Sequence, residues 1–395
     1  MSTRPIAHRH APAAWSRRTF LGSTLGCAGV PFLSRQAATA PTGQVEVERH
    51  VVAWRQPGRY GGWPANHGIW SWGDEIVCGC TAGFMKSGDP NRHPIDRSAG
   101  EAHALLRSVD GGAHWTFETP TALEPPPRPE RIAVTGESPE VRPARRLTTP
   151  IDFTAPDLAL TFRKSHGAPG AWLFASPDRA RTWSGPWQVP ALDGPNFDPR
   201  TDYLVVGPRE LLVFMTAMKA NGREGRPLTL RTRDGGLTWE RLGWIGPETA
   251  GYRIMPATVS LGGGRLYTVI RRNDEARHCL EGYRSDDGGV SWREAGLVAA
   301  DTGRGNPASL TRLADGRLCA VYGYRAAPFG IRVVTSEDEG RTWGAPVALR
   351  QDASDWDLGY PRTIVRRDGR LVSVYYFNDR SGPERYIAAT IWGQT

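Results

Sequence analysis

Short runs in which apolar and polar side chains alternate, split by tight turns, fill most of the chain. Leu261-Gly-Gly-Gly-Arg-Leu-Tyr-Thr-Val-Ile270, Leu313-Ala-Asp-Gly-Arg-Leu-Cys-Ala-Val-Tyr322 and Arg367-Asp-Gly-Arg-Leu-Val-Ser-Val-Tyr-Tyr376 are the clearest. Each reads as strand, turn, strand, with glycine where the turn needs it. A proline dipeptide precedes most such units: Trp63-Pro64, Ala155-Pro156, Met255-Pro256, Asn306-Pro307 and Tyr360-Pro361, with Arg200-Thr201-Asp202 in the same place without proline. Proline is tolerated at the first residue of a strand because its missing N–H lies outside the ladder. These six starts predict six sheets.

The third strand of each unit runs into another pattern, present five times: Ser108-Val-Asp110-Gly-Gly112-Ala-His-Trp115, Ser176-Pro-Asp178-Arg-Ala-Arg-Thr182-Trp183, Thr232-Arg-Asp234-Gly-Gly236-Leu-Thr238-Trp239, Ser285-Asp-Asp287-Gly-Gly289-Val-Ser291-Trp292 and Ser336-Glu-Asp338-Glu-Gly340-Arg-Thr342-Trp343. The carboxylate can accept backbone N–H groups, glycine supplies a left-handed residue and tryptophan packs between sheets. Only Ala180 departs from glycine. A turn recurring once per sheet explains all five, so these aspartates are assigned to folding.

A repeat of about fifty residues predicts an all-β chain built as a six-bladed β-propeller. The sixth unit lacks the Asp hairpin, and Tyr386 to Trp392 and Gln44 to Trp54 are left over; they are expected to pair and close the ring. Two stretches break the period. Thr81 to His103 is expected to cover a site, and Thr119 to Ile151, dense in proline, to be an extended excursion.

Composition narrows the function. Trp15-Ser-Arg17-Arg18-Thr-Phe-Leu21, a mild apolar run to Leu33 and small residues to Ala40 read as a twin-arginine export signal over residues 1–40, leaving a mature chain 41–395, periplasmic or extracellular. The apolar run is too short and glycine-rich to span a bilayer, and Cys27 is a weak lipidation site. The formal charge is +8; removing the leader's Arg4, Arg9, Arg17, Arg18 and Arg35 leaves +3, too little for a nucleic-acid partner. Four cysteines remain, Cys78 and Cys80 on one strand face, without zinc spacing and expected as buried thiols. No metal or cofactor is expected, and the protein is expected to be a monomer.

In a propeller the innermost strands converge on one axis, so Trp63, Asp157, Asp202, Met255, Asn306 and Tyr360 are expected at a common mouth, with Arg271, Arg325 and Arg362 beside them. Arginines with a tyrosine suit an anionic sugar: guanidinium grips a carboxylate, and a neutral phenol is a nucleophile that the same carboxylate does not repel. The packing alternatives stay open. Tyr360 could be an aromatic at a strand start, Trp63 a plug of the channel, His93 a surface residue, and Glu224 solvated.

Five such Asp boxes on a six-fold repeat resemble the sialidase (neuraminidase) superfamily, over nearly the whole mature chain. Gly359-Tyr360-Pro-Arg-Thr-Ile-Val-Arg-Arg-Asp-Gly-Arg-Leu-Val-Ser-Val-Tyr-Tyr376 is similar to the last-blade motif whose tyrosine is the nucleophile, which implies that role for Tyr360. Leu266-Tyr-Thr-Val-Ile-Arg271 resembles the strand bearing one carboxylate-binding arginine; Arg325 and Arg362 are implied beside it. More closely, Gly62-Trp63-Pro-Ala-Asn66, His93-Pro-Ile-Asp96, Arg200-Thr-Asp202-Tyr203, Gly222-Arg-Glu224-Gly-Arg226 and Arg385-Tyr-Ile-Ala-Ala-Thr-Ile-Trp392 resemble a bacterial group of exo-alpha-sialidase-like proteins. That implies His93 or Asp96 as proton donor, Glu224 as a candidate to activate the tyrosine, and Asp202 and Trp63 as sugar contacts. Two family features are missing: Trp63 stands where the first-blade arginine belongs, and Met255 where the activating glutamate belongs. The implied activity is release of a terminal anionic sugar, sialic acid by family default. The alternatives are a hydrolase or lyase on a uronic-acid polysaccharide, or a glycan-binding propeller without catalysis.

Overall fold

A computed structural model describes residues 45–123, 145–164, 169–192, 196–222 and 224–394. The leader read over 1–40 and the middle of the Thr119 to Ile151 stretch lie outside the described residues. Within them the regular structure is β-strand apart from two 3-10 turns, Pro64–Asn66 and Thr121–Leu123, and no helix is long and apolar enough to cross a membrane.

The strands form six antiparallel sheets, the blades of a propeller. Blade 4 shows the pattern: Tyr252–Gly262, Arg265–Asn273, His278–Ser285 and Arg293–Ala299, ordered from the axis outward. Blade 5 repeats it with Ala308–Arg312, Leu318–Tyr324, Gly330–Ser336 and Val347–Arg350. Blade 6 holds Gly359–Val365, Leu371–Phe377 and Tyr386–Gln394, and takes its outer strand from the other end of the chain: Val45–Trp54 pairs with Tyr386–Gln394, from Val45 opposite Gln394 to Trp54 opposite Ile387. The expected closure is therefore present, and it removes the edges an open ring would leave.

Register fixes which end is which. In blade 4, Gly262 lies opposite Arg265 and Leu266 opposite Ser285, the residue that opens its Asp hairpin; Tyr252, Asn273 and His278 align at the far end. Asp hairpins thus occupy one end of the sheets and the X-Pro dipeptides, such as Met255-Pro256, the other, which is called the mouth below.

The hairpins are built as their chemistry demands. Ser285 Oγ donates to Asp287 Oδ1 at 2.8 Å and accepts from Gly289 N at 2.8 Å, while Asp287 accepts from Ser291 N and Oγ at 2.9 and 2.5 Å. The same bonds recur at Asp110, Asp178, Asp234 and Asp338. Partial burial opposes ionisation, but the donors outweigh it and hold Asp110 and Asp178 at about 2. Ala180 adopts φ 65°, the left-handed conformation glycine takes in the other copies. Four of the five hairpin tryptophans reach the preceding blade in this way: Trp183 against Trp70, Trp239 edge-on to Phe162, Trp292 to Phe214, and Trp343 with its Nε1 on Tyr267 Oη at 3.2 Å.

One start was misplaced. Ala159–Lys164 pairs with Ala171–Ser176 so that Ala159 faces Ser176, the opening of the second Asp hairpin. Ala159–Lys164 is therefore the second strand of blade 2, not the first, and no strand lies inside it among the described residues. Ala155-Pro156-Asp157 sits at the hairpin end, where Asp157 accepts from Arg179 Nε at 2.7 Å, and not at the mouth.

At the mouth the innermost strands are broken or bulged. Blade 1 is split into Arg59–Gly62 and Ile69–Trp72, blade 3 into Phe197–Asp198 and Tyr203–Val205, and the pairing slips between Ile254 and Ala257 and between Gly359 and Arg362. Trp63, Met255 and Tyr360 stand in these breaks with φ of 56°, 59° and 50°. Left-handed backbone is costly for bulky residues, and such bulges re-aim side chains. The four cysteines are buried and unpaired, Cys78 and Cys80 within one core cluster.

Candidate active site

The breaks surround a cavity of about 440 Å³. Blade 1 and its insertion contribute Trp63, Asn66, His67, Thr81, His93, Arg97, Glu101 and His103; blade 2 Phe162, Arg163 and Lys164; blade 3 Asp198, Pro199, Arg200 and Thr216; blades 4 and 6 Ile254, Met255 and Tyr360. All three left-handed residues noted above line it. Four cations face two carboxylates, so the walls carry net positive charge.

Tyr360 is set by a dense frame. Its N donates to Asn306 Oδ1 at 3.0 Å, its phenol oxygen accepts from Arg271 Nη1 at 3.0 Å, and the Arg325 guanidinium lies 5.3 Å over its ring. Among the described residues no carboxylate is hydrogen-bonded to the phenol. Met255, where the family pattern has the activating glutamate, brings only a thioether.

His93 reaches the cavity on the blade 1 insertion, and the sequence reading missed its partner. Its Nδ1 is 2.5 Å from Oδ1 of Asp357, which is fully buried and also accepts from Tyr376 Oη at 2.7 Å and Arg385 Nε at 3.1 Å. Burial opposes ionisation of Asp357, yet His93, Arg325 and Arg385 outweigh it and keep the carboxyl below its ordinary value. An ionised acceptor fixes the Nδ1–H tautomer, so Nε2 is the free edge. Trp63 edge-on at 5.2 Å and Trp356 at 5.3 Å hold the ring between them. Trp356 Nε1 in turn donates to Pro90 O at 2.8 Å, tying the insertion to the last blade. The insertion, expected to cover a site, supplies part of its wall.

The floor was also missed. Arg163 is buried, and its Nη1 donates to His67 Nδ1; His67 Nε2 then donates to Thr81 Oγ1 at 3.0 Å. Burial first, and the Arg163 charge next, push the His67 pKa well below its ordinary value, so this imidazole is neutral. Among the described residues Arg163 Nε and Nη2 have no partner. Burial pulls that guanidinium down to about 9, still a cation at neutral pH. Arg163 lies near the mouth end of the second strand of blade 2, one residue short of the place that Arg271 holds in blade 4, where Lys164 stands. A basic pair at the mouth end of a second strand was the available signal, and the misplaced start of blade 2 concealed it.

Other expected residues do different work. Arg325 places Nε on Leu358 O, Nη1 on Gly305 O and Nη2 on Tyr376 Oη, at 3.0, 3.2 and 2.5 Å. Arg362 Nη2 holds Ala65 O and Thr201 O at 2.8 and 2.6 Å. Both stitch blades together near the axis, and neither lines the cavity; nor does Arg271, which reaches it only through Tyr360. Asp202 is buried behind the wall with Oδ2 unpartnered, and burial raises it to about 6 against the pull of Arg200 and Arg362. Asp96 accepts from Ser98 N and Oγ at 3.0 and 2.6 Å, which lowers its pKa and leaves a poor proton donor off the cavity wall. Glu224 pairs with Lys219 at 2.8 Å outside the lining, so it does not stand in for the absent glutamate.

Comparison with solved structures agrees with this architecture. A protein of unknown function from Dyadobacter fermentans superposes with a TM-score of 0.65 at 20% identity, covering 89% of this chain and 99% of its own. The Hadza microbial sialidase Hz136 gives 0.56 at 15%, covering 85% and 66%. The Penicillium chrysogenum alpha-L-arabinanase, solved with arabinobiose, gives 0.53 at 14%, covering 89% and 98%. At these identities the likeness is one of fold. No curated protein sequence matches the chain. Residues 128–373, more than half of the sequence, match the model of the BNR repeat-like domain, and the chain belongs to that family.

Proposed function

We propose that the protein is an exo-glycosidase that releases a terminal acidic sugar from a glycan. One observation carries the reading: a strained, left-handed Tyr360 with a guanidinium on its phenol oxygen stands at the wall of a cationic cavity that His93 also lines. Tyr360 is the nucleophile toward the anomeric carbon: its phenol proton passes to water in the cavity, its oxygen bonds the sugar as the leaving C–O bond breaks, and Arg271 Nη1 holds that oxygen in position. His93, in its imidazolium form with Nδ1–H on Asp357, gives the Nε2 proton to the leaving oxygen and, then neutral, takes one at Nε2 from the water that releases the sugar. The leader supports export by the twin-arginine route, which would put the substrate outside the cytoplasm.

The test is release of fluorophore from a panel of synthetic acidic glycosides, an α-sialoside among them because of the sialidase resemblance. Tyr360→Phe is expected to lose about 10³-fold or more of the turnover while the fold survives; an unchanged rate overturns the nucleophile. The lack of a carboxylate on Tyr360 favours a second reading, glycan binding without cleavage. Saturable binding with no turnover of any glycoside would establish it.

A further inference from the structure

The family resemblance pointed to a carboxylate held beside the nucleophile by Arg271, Arg325 and Arg362. Arg325 has all three nitrogens engaged, Arg362 is spent on two carbonyls, and Arg271 spends Nη1 on the phenol; none of the three lines the cavity. Arg271 and Arg362 each keep a buried Nε without a partner among the described residues, but off the cavity lining; the unpaired guanidinium donors on the wall itself belong to Arg163, with two, and Arg200, with one. Arg163 lines the cavity at 5% exposure with Nε and Nη2 unpartnered. Those two N–H groups point the same way along one edge of the guanidinium plane, the side-on fork that matches a carboxylate's two oxygens. Leaving such donors dry and unpaired in a buried wall is costly, and an oxyanion removes that cost. His67 braces the guanidinium through Nη1, so the free edge has a fixed direction, and Lys164 adds a second positive charge next to it.

The fork is also on the wrong blade for a carboxylate attached to the reacting carbon. Tyr360 belongs to blade 6 and is framed by blades 4 and 5, whereas Arg163 belongs to blade 2 and is braced from blade 1. In a 2-ulosonic acid such as sialic acid the carboxylate is bonded directly to the anomeric carbon and must lie against the nucleophile. In a uronic acid it sits on the ring carbon beyond the ring oxygen, set off from the reacting centre. We infer that Arg163 is the carboxylate-reading residue of this cavity and that the acidic sugar it takes is a uronic acid. The inference rests on the reading of the cavity as a glycan site.

Binding, measured by calorimetry on the full chain, tests this without requiring turnover. The probes are methyl β-glucuronide, methyl α-galacturonide, the uncharged uronamide of each, methyl β-glucoside and methyl α-sialoside. A uronide is expected to bind about tenfold or more tightly than its uronamide and than the sialoside, and Arg163→Gln is expected to erase the preference over the uronamide. Because Arg163 is buried, Arg163→Lys, which keeps the charge and loses the fork, provides a second variant, and the uronamide comparison needs no variant at all. A sialoside bound more tightly than both uronides, equal affinity for acid and amide, or no uronide binding overturns the inference. Uronide binding without hydrolysis would leave it standing and would sink the glycosidase reading instead.

Discussion

Aspartate behaves in opposite ways at the two ends of this propeller. Asp178, in a hairpin, accepts from Ser176, Arg181 and Thr182 and is held at about 2. Asp202, near the mouth, keeps an oxygen without a partner and is pushed up to about 6. Burial opposes ionisation in both, and the number of aimed donors decides the sign. The hairpin end repeats one solution five times and satisfies its five carboxylates, Trp183 Nε1 being the one hairpin indole without a partner among the described residues. The mouth repeats little, strains Trp63, Met255 and Tyr360, and leaves donors on Arg163 and Arg200 unpaired. Repetition with saturation marks what folds the chain; singularity with unpaired groups marks where a ligand belongs.

The sharpest way to break that division is to damage the hairpin end and look for an effect at the mouth. Trp239 is 9% exposed, packs edge-on against Phe162 of the preceding blade and donates to Gly236 O at 3.1 Å. Trp239→Ala is expected to cost about 3–5 kcal/mol in urea unfolding, since it opens a cavity between two sheets. Glycoside affinity of the folded fraction should stay as it was. A stability loss accompanied by an equal loss of affinity would mean that the two ends are not separate.

A smaller effect distinguishes copies within the hairpin end. Ala180 and Gly340 occupy the same place in their hairpins, at φ 65° and 84°. A methyl group at 340 would sit 2.2 Å from Cε2 of the buried Tyr267, whereas Ala180 already carries its methyl. Gly340→Ala is therefore expected to cost about 2–4 kcal/mol, from left-handed backbone plus overpacking. Ala180→Gly should lie within about 1 kcal/mol of wild type. Thermal melts of the two variants would show whether neighbour packing or backbone conformation sets the requirement at this site; a small loss in Gly340→Ala matched by a gain of equal size in Ala180→Gly would assign it to backbone alone.

The same contrast explains what could be read from the sequence. Asp hairpins and all but one of the X-Pro starts were legible because they recur, and each copy checks the others; the closing pair was legible as what the repeat left over. Tyr360, Trp63 and His93 were found as lining residues because topology brings strand starts and the first insertion to one mouth. Asp357 was not, because nothing in Trp356-Asp357-Leu358 marks a buried carboxylate that reaches across to an insertion some 260 residues earlier, as the His93 bond does. Arg163 was lost to one misassigned strand. Arg325 and Arg362 were named for their charge, whereas their use as blade-to-blade stitches depends on carbonyls that no sequence pattern displays.

The subtlest expected effect tests the aspartate contrast directly. Asp202 has an ordinary value of 3.8 and a folded value of about 6, so between those two pH values the unfolded chain has released a proton that the folded chain retains. Folding is then favoured by Asp202 at the acid end of the window, and the advantage is lost as pH rises toward 6. A shift of about two units corresponds to something on the order of 1–3 kcal/mol. Asp202→Asn keeps the shape and cannot titrate, so the variant should gain on wild type between pH 4 and pH 6 and hold a constant difference above that. The hairpin aspartates work the other way, adding stability that is lost only as pH falls below about 4 toward 2, outside this window. Parallel stability curves for wild type and variant from pH 4 to 7 would mean that Arg200 and Arg362 hold Asp202 ionised after all, and the carboxylate at the mouth would then belong with the saturated ones of the opposite end.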